Sequence, residues 1–265
     1  MEEFLRSREQ YCVNACAKFL QIHSLTWYLE DPAGTVQAMI LSSGGMLFPV
    51  FGKTRDIPPP RFLSRSFLHW GQPPIHSVQG LVDDTELLEA ALANLGYPAP
   101  EHRDYDLMTL NGPPEREHPK DGLRELVFRK PVFTDLEAML PLQAGYEKEE
   151  VLPKDTVFNP AWCRLNLGKI IAGEQSLIAC LSDRIVGKIN TNAASFTRLQ
   201  VGGVYVLPEY RGLGIGRRMT AAFVGELSKQ GRGLTLFVKK NNPAARAIYD
   251  HIGFSATADY RISYY

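Results

Sequence analysis

The chain has 265 residues, 45% of them hydrophobic, and its 29 basic side chains balance 29 acidic ones to a formal net charge of zero. This length suits one large or two small globular domains with a substantial apolar core. The charge balance argues against a dedicated nucleic-acid-binding protein. The sequence opens without a basic stretch followed by an apolar one and contains no long apolar run, so we expect a cytoplasmic protein that does not bind a membrane.

The four cysteines predict neither a metal site nor a disulfide. Cys12 and Cys16 are four residues apart in a predicted helix, and Cys163 and Cys180 stand alone. None of them forms the Cys-x-x-Cys pair that is common in zinc and redox sites. Reduced structural thiols in a cytoplasmic protein are therefore the prediction.

In the first 112 residues, helical and strand patterns alternate. An apolar stripe over residues 11–20 predicts a helix, and residues 36–41 and 46–51 predict strands paired around a Ser-Ser-Gly-Gly turn. A proline-rich segment at residues 56–60 predicts a rigid loop, and residues 75–78 predict a strand.

A second helix in this half is predicted to start at a cap formed by Asp83 or Asp84 and to end at Gly96. Residues 105–110 then predict a strand. The polar segment 111–122, rich in Pro and Gly, suits a linker. We therefore predict two domains, residues 1–112 and residues 123–265.

The second half reads as one α/β unit. Its predicted strands are residues 123–129, 176–181, 185–190, 201–206, 234–238 and 255–265. Its predicted helices follow residue 134, residue 159, Gly214 and Asn242. Pro141 is expected to distort or shorten the first of these helices, whereas Pro160 stands at an early position where its missing N–H costs little.

Residues 204–218 predict a strand, a short turn and a helix whose first turn is almost bare backbone. Gly212, Gly214 and Gly216 let the chain turn sharply and let a ligand approach closely. The free N–H groups at the helix start attract phosphate, and Arg211 and Arg217 add positive charge beside them. The pattern favours a ligand that carries a pyrophosphate.

Three such ligands are compared with the sequence. A nucleoside triphosphate needs Lys and Ser or Thr after the last glycine, but Arg217 and Arg218 stand there. A dinucleotide needs a third glycine at 217 and an acidic residue after the next strand, which instead ends in lysines. These exclusions leave coenzyme A.

At this point the sequence resembles the GCN5-related N-acetyltransferase (GNAT) family. The family's acetyl-CoA signature, Q/R-x-x-G-x-G/A, is matched by Arg211, Gly214 and Gly216. Its downstream motif, N-x-x-A/S-x-x-x-Y…G-F, is matched by residues 242–249 and 253–254. The predicted order β-α-α-β-β-β-α-β-α-β is that of the family's fold, so the resemblance covers about residues 123–265.

The resemblance implies a GNAT fold, a mixed and mostly antiparallel sheet with flanking helices. The order of elements in residues 1–112 echoes that of the second half, and we predict a degenerate GNAT-like α/β domain there. Residues 79–84 take the place of the phosphate-binding turn in this comparison, and two aspartates there would repel phosphate. The first domain is therefore expected to bind no CoA and to help form the acceptor site.

The resemblance also implies how acetyl-CoA binds. The strand at residues 201–206 and the next strand would splay apart around the pantetheine arm. Gly202 and Gly203 would form the bulge that opens this gap. An ordinary strand irregularity at these two glycines is the alternative. The backbone of the following residues would pair with pantetheine amides. The residues implied in acetyl-CoA binding are Val204, Tyr205, Val206, Arg211, Gly212, Leu213, Gly214, Ile215, Gly216, Arg217 and Asn242.

Tyr249 matches the family's tyrosine that protonates the departing CoA thiolate, and it is the predicted catalytic residue; a packing role on an amphipathic helix is the alternative. Asn242 suits a helix cap, a CoA contact or both. Lys239 and Lys240 are expected at a solvated strand end, with a ribose phosphate contact as the alternative.

No general base is evident, because the strand at residues 199–206 contains no carboxylate. Four glutamates and the six histidines are unplaced candidates for that role. The glutamates are Glu147, Glu149, Glu150 and Glu174. A solvated or core position is the expectation for each of them, and a water chain is the alternative proton acceptor.

These observations predict an acetyl-CoA-dependent N-acetyltransferase that needs no metal and acts on a small-molecule or protein amine by direct attack. An acyl-CoA-binding regulatory module without catalysis is the alternative, and a purely structural protein would require both motifs to be coincidences. No nucleic-acid or membrane partner is expected, and a homodimer stays open. The acceptor, the acyl chain length and the base are not readable from the sequence.

Overall fold

The computed structural model describes residues 1–21, 24–52, 74–99, 101–112, 114, 125–154 and 156–265. Helices in these ranges are α1 (Glu2–Ser7), α2 (Val13–Phe19), α3 (Val82–Asn94), α4 (Leu136–Tyr146), α5 (Pro160–Gly173), α6 (Ile215–Ser228) and α7 (Pro243–Ile252). Strands are β1 (Leu25–Glu30), β2 (Val36–Ser43), β3 (Met46–Phe51), β4 (Ser77–Leu81), β5 (Glu101–Leu110), β6 (Leu126–Arg129), β7 (Ser176–Leu181), β8 (Arg184–Ala194), β9 (Arg198–Val206), β10 (Gly233–Lys239) and β11 (Ser255–Tyr264).

All eleven of these strands form one sheet in the order β1-β2-β3-β4-β11-β5-β10-β9-β8-β7-β6. Its neighbouring strands are antiparallel except in the pairs β3/β4 and β9/β10. The mixed, mostly antiparallel α/β architecture predicted from the sequence is therefore confirmed. The order β6-α4-α5-β7-β8-β9-α6-β10-α7-β11 in the second half also matches the prediction.

Two strands cross between the halves of the chain. Strand β5, from the predicted first domain, lies between β10 and β11 of the second. Strand β11, the last of the chain, lies between β5 and β4. Each half thus supplies the strand that completes the other half's part of the sheet.

The order β2-β3-β4 repeats the order β8-β9-β10, since each is an antiparallel pair followed by a parallel neighbour. This agrees with the expected echo between the halves. The division at residues 112 and 123 and the degenerate GNAT-like nature of the first half stay predictions.

Helices cover both faces of the sheet. On one face, Ile215, Met219 and Phe223 of α6 pack against Val201 and Leu236. The opposite face carries α4 and α5. Neighbouring residues of a strand point to opposite faces of a sheet. On β7, Ile178 packs with α4 and α5, whereas Ala179 packs with α6. Among the described residues, no helix is long and apolar enough to cross a membrane.

Several predictions about local structure need correction. Neither Asp83 nor Asp84 caps α3, because the helix begins at Val82. Asp84 instead accepts a hydrogen bond from the Phe51 backbone N–H at 3.2 Å. Helix α4 continues past Pro141, so this proline does not shorten it. Helix α1 and strand β1 were not predicted, and the loop predicted at residues 56–60 lies outside the described residues.

The comparison of residues 79–84 with the phosphate-binding turn is also wrong. Gln79 and Gly80 lie on β4, and both aspartates lie in the first turn of α3. The position that corresponds to the β9–α6 turn is the connection between the parallel strands β3 and β4, residues 52–76. Residues 53–73 of that connection are outside the described ranges. Acidic repulsion at Asp83 and Asp84 therefore does not support the expectation that the first half binds no CoA, which stays a prediction.

Glu9 joins the N-terminal segment to the hairpin between β8 and β9. Its carboxylate accepts hydrogen bonds of 2.6 Å from the Ser195 hydroxyl, the Thr197 hydroxyl and the Thr197 backbone N–H. Burial alone would raise the pKa of Glu9, but these three donors hold the pKa below its ordinary value. A carboxylate so bound stabilises the fold only while it is ionised.

We expect Glu9→Gln to lower the free energy of unfolding at pH 7 by about 1–3 kcal/mol, because a buried charge-assisted hydrogen-bond network is lost. Since the folded pKa of Glu9 is depressed, its contribution is fully present above the ordinary glutamate pKa of about 4.3 and is lost as the pH falls through the lower folded pKa. Urea unfolding at pH 7 and at acidic pH measures the difference between the variant and the wild type. The exposed Glu3→Gln is the control, and a difference that persists unchanged in acid would contradict this account.

Candidate active site

Strands β9 and β10 separate partway along their length. Their parallel pairing runs from Arg198 and Gly233 to Val201 and Leu236, and no residue after Val201 in β9 pairs with β10. In the pairing with β8, the register shifts between Asn190, which faces Gly202, and Lys188, which faces Tyr205. The bulge predicted at Gly202 and Gly203 is therefore present at the point where the strands part.

Only glycine fits both bulge positions. Gly203 has a φ of +62°, a conformation that L-residues rarely adopt. A Cβ atom on Gly203 would lie 1.9 Å from Oδ1 of Asn190, and one on Gly202 would lie 2.0 Å from Nδ2 of Asn192. The bulge and the two asparagine side chains on β8 thus occupy one closely packed unit.

Lys188 lies behind this bulge and was not identified from the sequence. Its side chain is buried, and Nζ donates to the Gly203 carbonyl at 3.0 Å and to Oδ1 of Asn190 at 3.2 Å. The ammonium group also lies 4.6 Å from the centre of the Tyr146 ring. Burial lowers the pKa of Lys188 to about 7, against the opposing effect of Glu147. Lys188 therefore anchors the strained residue that opens the gap.

The turn before α6 is exposed and lacks a side-chain cap. Gly212 and Gly214 have φ values of +80° and +75°, and residues 211–214 are exposed. Gly214 is the N-cap residue, and no side chain accepts a hydrogen bond from the first turn of the helix. Ile215 is buried and fixes the helix start on the sheet. This end of the helix has the backbone donors and the positive dipole that suit an anionic group.

Arg211 is exposed, but its guanidinium group is held by two partners. Its Nε donates to the Val206 carbonyl at 3.0 Å, and its Nη2 pairs with Glu149 at 2.9 Å. Glu149 also accepts a 2.5 Å hydrogen bond from the Tyr205 hydroxyl. Burial would raise the pKa of Glu149, but Tyr205 and Arg211 hold it below its ordinary value. Arg211 thus ties the turn to the end of β9.

A cavity of about 680 Å³ fills the gap between the separated strands. We call it the gap cavity. Val204 on β9 and Phe237 on β10 line its sides, and Asn242 and Tyr249 line it from α7. The predicted first domain lines the same cavity through five residues. They are Asn14, Met46, Ser77, Gln79 and Tyr105.

The two α7 residues singled out from the sequence are both placed at this cavity. Asn242 caps the helix, since its Oδ1 accepts from the Ala245 backbone N–H at 3.0 Å. Tyr249 is 7% exposed and packs edge-on against Phe254. Burial raises the pKa of Tyr249, with smaller contributions from Tyr146 and Glu150, so its phenol keeps its proton. Packing and a position facing the cavity coexist at this residue.

The lysines at the end of β10 are both paired, and Lys240 is exposed, as expected, whereas Lys239 is partly buried. Lys239 forms a 2.8 Å ion pair with Glu150, and its side chain is 15% exposed. Lys240 pairs with Asp259 at 2.5 Å and with Asp106 at 3.4 Å.

Three of the candidate glutamates line the gap cavity: Glu147, Glu150 and Glu174. Glu147 is buried and accepts from Nε2 of Gln143 at 2.9 Å, and Glu174 accepts from the Thr191 hydroxyl at 2.6 Å. None of the three described histidines is in the cavity lining, and His23, His69 and His118 lie outside the described residues. Within the described ranges, no three His, Cys, Asp or Glu side chains come together as a metal site.

Comparison with known proteins finds one family match, in the second half of the chain. The model of the acetyltransferase (GNAT) family matches residues 137–254. No match was found among curated proteins.

Solved structures share the fold over nearly the whole chain. A Drosophila protein is 15% identical with a TM-score of 0.67, covering 99% of this chain and 86% of its own. A GCN5-related N-acetyltransferase from Sphaerobacter thermophilus is 20% identical with a TM-score of 0.60, covering 99% and 84%. An acetyltransferase of the GNAT family from Colwellia psychrerythraea is 10% identical with a TM-score of 0.58, covering 100% and 97%. At these identities the likeness is one of fold.

The bulge geometry predicts opposite effects for two glycine-to-alanine substitutions. Gly203→Ala should lower the free energy of unfolding by about 1–3 kcal/mol, since it adds strain at positive φ and displaces Asn190. Gly225→Ala, on α6 with no neighbour within 4 Å of the added methyl, should raise it by about 0.5–1 kcal/mol. Urea unfolding of both variants measures this, and equal effects would refute the close packing at the bulge.

Proposed function

Because residues 137–254 of this chain match the model of the acetyltransferase (GNAT) family, we propose that the protein is an N-acetyltransferase that uses acetyl-CoA. It transfers the acetyl group by direct attack of an amine on the thioester. The observation that carries this proposal is the gap cavity, which is lined by the free edge of β9 and by Tyr249.

The described residues suit two parts of acetyl-CoA. Residues 212–217 form the turn and the first residues of α6, and the exposed residues 212–214 leave this helix start open to the pyrophosphate. The segment Val204–Tyr205–Val206 has lost its β10 partner, so the pantetheine amides can pair with it as an added strand does. The Val206 carbonyl already accepts from Arg211, so Arg211 positions this segment as well as contributing charge.

Tyr249 is the proposed acid for the leaving thiolate. Its hydroxyl is protonated at neutral pH because burial raises its pKa. A free thiol has a pKa near 8.5, well below that of the buried phenol. Burial of the thiolate in the same cavity raises the pKa of the CoA thiol as well. The pKa values of the thiol and the Tyr249 phenol thus become closer, and a transfer of the phenol proton can assist departure of the thiolate.

The acceptor enters the part of the gap cavity that the first half lines. Residues such as Asn14, Ser77 and Gln79 offer polar side chains there. We propose that residues 1–112 act as a wall of the acceptor site and bind no CoA themselves, while residues 123–265 hold acetyl-CoA. The acceptor is a small molecule or a protein amine, and the expected compartment is the cytoplasm.

The alternative is a regulatory module that binds acyl-CoA without turnover. Amine-dependent release of CoA thiol distinguishes this module from the enzyme. Calorimetry establishes acetyl-CoA binding, and a panel of amino acids, polyamines, amino sugars and lysine peptides is then screened with free-thiol detection. Amine-dependent thiol release supports the enzyme. Binding with no release beyond the background rate supports the module.

Gly214→Glu should weaken acetyl-CoA binding at least about tenfold, because it places a bulky negative group where the pyrophosphate binds. Gly231→Glu is a matched control, since Gly231 is also exposed with a positive φ, +70°, but lies beyond the other end of α6. Isothermal titration calorimetry of both folded variants gives the affinities. Unchanged affinity in Gly214→Glu would refute the phosphate assignment.

Tyr249→Phe should lower turnover by about 10²- to 10⁴-fold and leave acetyl-CoA affinity within a few-fold, because it removes the acid and keeps the ring. Tyr265→Phe is the control, since that buried hydroxyl lies outside the gap cavity. Single-turnover rates isolate the chemical step. A wild-type rate in Tyr249→Phe would leave this residue with a packing role alone.

A further inference from the structure

One carboxylate in the gap cavity is held in a geometry that suits proton transfer. Helix α4 ends in a π-helical turn, Glu147–Val151, in which the Leu152 backbone N–H donates to the Glu147 carbonyl at 2.8 Å. Such turns shift the side-chain register of a helix and are frequent at functional sites. Here the turn places Glu147 and Glu150 in the cavity and directs Glu149 to Arg211 and Tyr205.

We propose that Glu150 is the general base that takes the proton from the acceptor's ammonium group. This inference rests on the proposed acetyl transfer. Glu150 lines the gap cavity together with Tyr249, Gly203 and Val204, the residues assigned to the thiolate, the bulge and the pantetheine. Its side chain is 31% exposed, so it reaches both the cavity and the water that carries protons away.

Lys239 orients this carboxylate. Its Nζ pairs with Oε2 of Glu150 at 2.8 Å and also donates to the Glu149 carbonyl at 3.0 Å. The ion pair engages Oε2 of Glu150 and not Oε1. One oxygen is thus fixed from β10, and the other is available to an incoming N–H group.

The backbone of the turn is fixed from the two crossing strands. Arg103 on β5 donates to the carbonyls of residues 150, 151 and 152, at distances of 3.4, 3.4 and 2.6 Å. The Tyr264 hydroxyl on β11 donates to the Val151 carbonyl at 3.3 Å. Arg103 touches no reacting atom and is a positioning residue. These donors satisfy carbonyls that a helix end leaves unpaired and limit the movement of Glu150.

The other carboxylates near the cavity are less suited to the role. Glu147 is buried beside Lys188 and is bonded to Gln143. Glu149 is bonded to both Tyr205 and Arg211. Glu174 is bonded to Thr191 at the far end of α5. Of the carboxylates in this cavity, Glu150 is the one that acts electrostatically on Tyr249 and Tyr146, which places it close to the proposed acid.

The protons balance with these two residues. The ammonium group gives one proton to Glu150, which passes it to water, and the neutral nitrogen attacks the thioester carbon. The carbon–nitrogen bond forms and the carbon–sulfur bond breaks. The departing sulfur takes the Tyr249 proton, and the tyrosine regains a proton from the new amide nitrogen. The products are the amide, CoA thiol and one proton released to water.

The experiment compares two small amines that differ in charge at pH 7. Ethylamine is almost fully protonated and needs a base, whereas hydroxylamine is largely neutral. Release of CoA thiol from saturating acetyl-CoA is measured with each probe for the wild type, Glu150→Gln and Glu150→Asp. Glu226→Gln, an exposed α6 residue paired only with Lys229, controls for the loss of one charge. Calorimetry checks that each variant still binds acetyl-CoA.

We expect Glu150→Gln to lower the ethylamine rate by about 10²- to 10⁴-fold and the hydroxylamine rate by less than roughly tenfold. Glu150→Asp should recover part of the ethylamine rate, because a carboxylate remains. Equal loss with both probes, or no loss with either, overturns the base assignment while acetyl transfer stands. Acetyl-CoA that binds to the wild type but is consumed neither with these probes nor with any member of the amine panel overturns the proposed function itself.

Discussion

The pairing of β5 with β11 is the contact on which the rest of the structure depends. Nine residue pairs join these strands, from Ser255 and Thr109 to Tyr264 and Glu101, and six more join β5 to β10. Strand β10 bounds the gap cavity, so a strand of the first half supports one wall of the site. Since the backbone groups of a central strand need partners on both sides, removal of residues 101–110 would expose the edges of β10 and β11. The first half is therefore an integral part of the sheet.

The gap between β9 and β10 depends on buried polar groups, the Gly203 carbonyl and the Lys188 side chain. Gly203 is held at positive φ, and the buried Lys188 satisfies its carbonyl. A lysine with a pKa near 7 is largely neutral at slightly alkaline pH, and a neutral amine still has two N–H donors for its two acceptors, Gly203 and Asn190. The hydrogen bonds to the bulge thus survive the loss of the charge. Burial without such partners would cost several kcal/mol.

Local patterns in the sequence predicted the second half well because its signals are local. Gly202–Gly203 and the Asn242 cap depend on backbone conformation, which residue type strongly constrains. The caps at Asp83 and Asp84 were wrong because Asp84 instead accepts the Phe51 N–H across the fold, a tertiary contact that overrides capping preference. The crossing of β5 and β11 was not predicted, because strand pairing between distant segments leaves no trace in periodicity.

Lys188 and Glu150 were not assigned to the site from the sequence for the same physical reason. Residues 185–190, the strand predicted here, contain two polar side chains, Lys188 and Asn190, and their alternate positions were the available signal. Glu150 was one of several unplaced candidates for the base, with a solvated or core position expected, because no pattern in the sequence predicted the π-helical turn that brings it into the cavity.

The two halves of the chain contribute different contacts to the gap cavity. The second half supplies the free strand edge and Tyr249, to which we assigned contacts with acetyl-CoA and not with the acceptor. The first half supplies Arg103, which fixes the turn that carries Glu150, and side chains such as Asn14 and Gln79 in the cavity wall. Differences in acceptor choice among proteins of this architecture should therefore reside in the first half. A sequence motif for acetyl-CoA cannot reveal the acceptor, because the residues that meet it are brought to the cavity by pairing between distant strands.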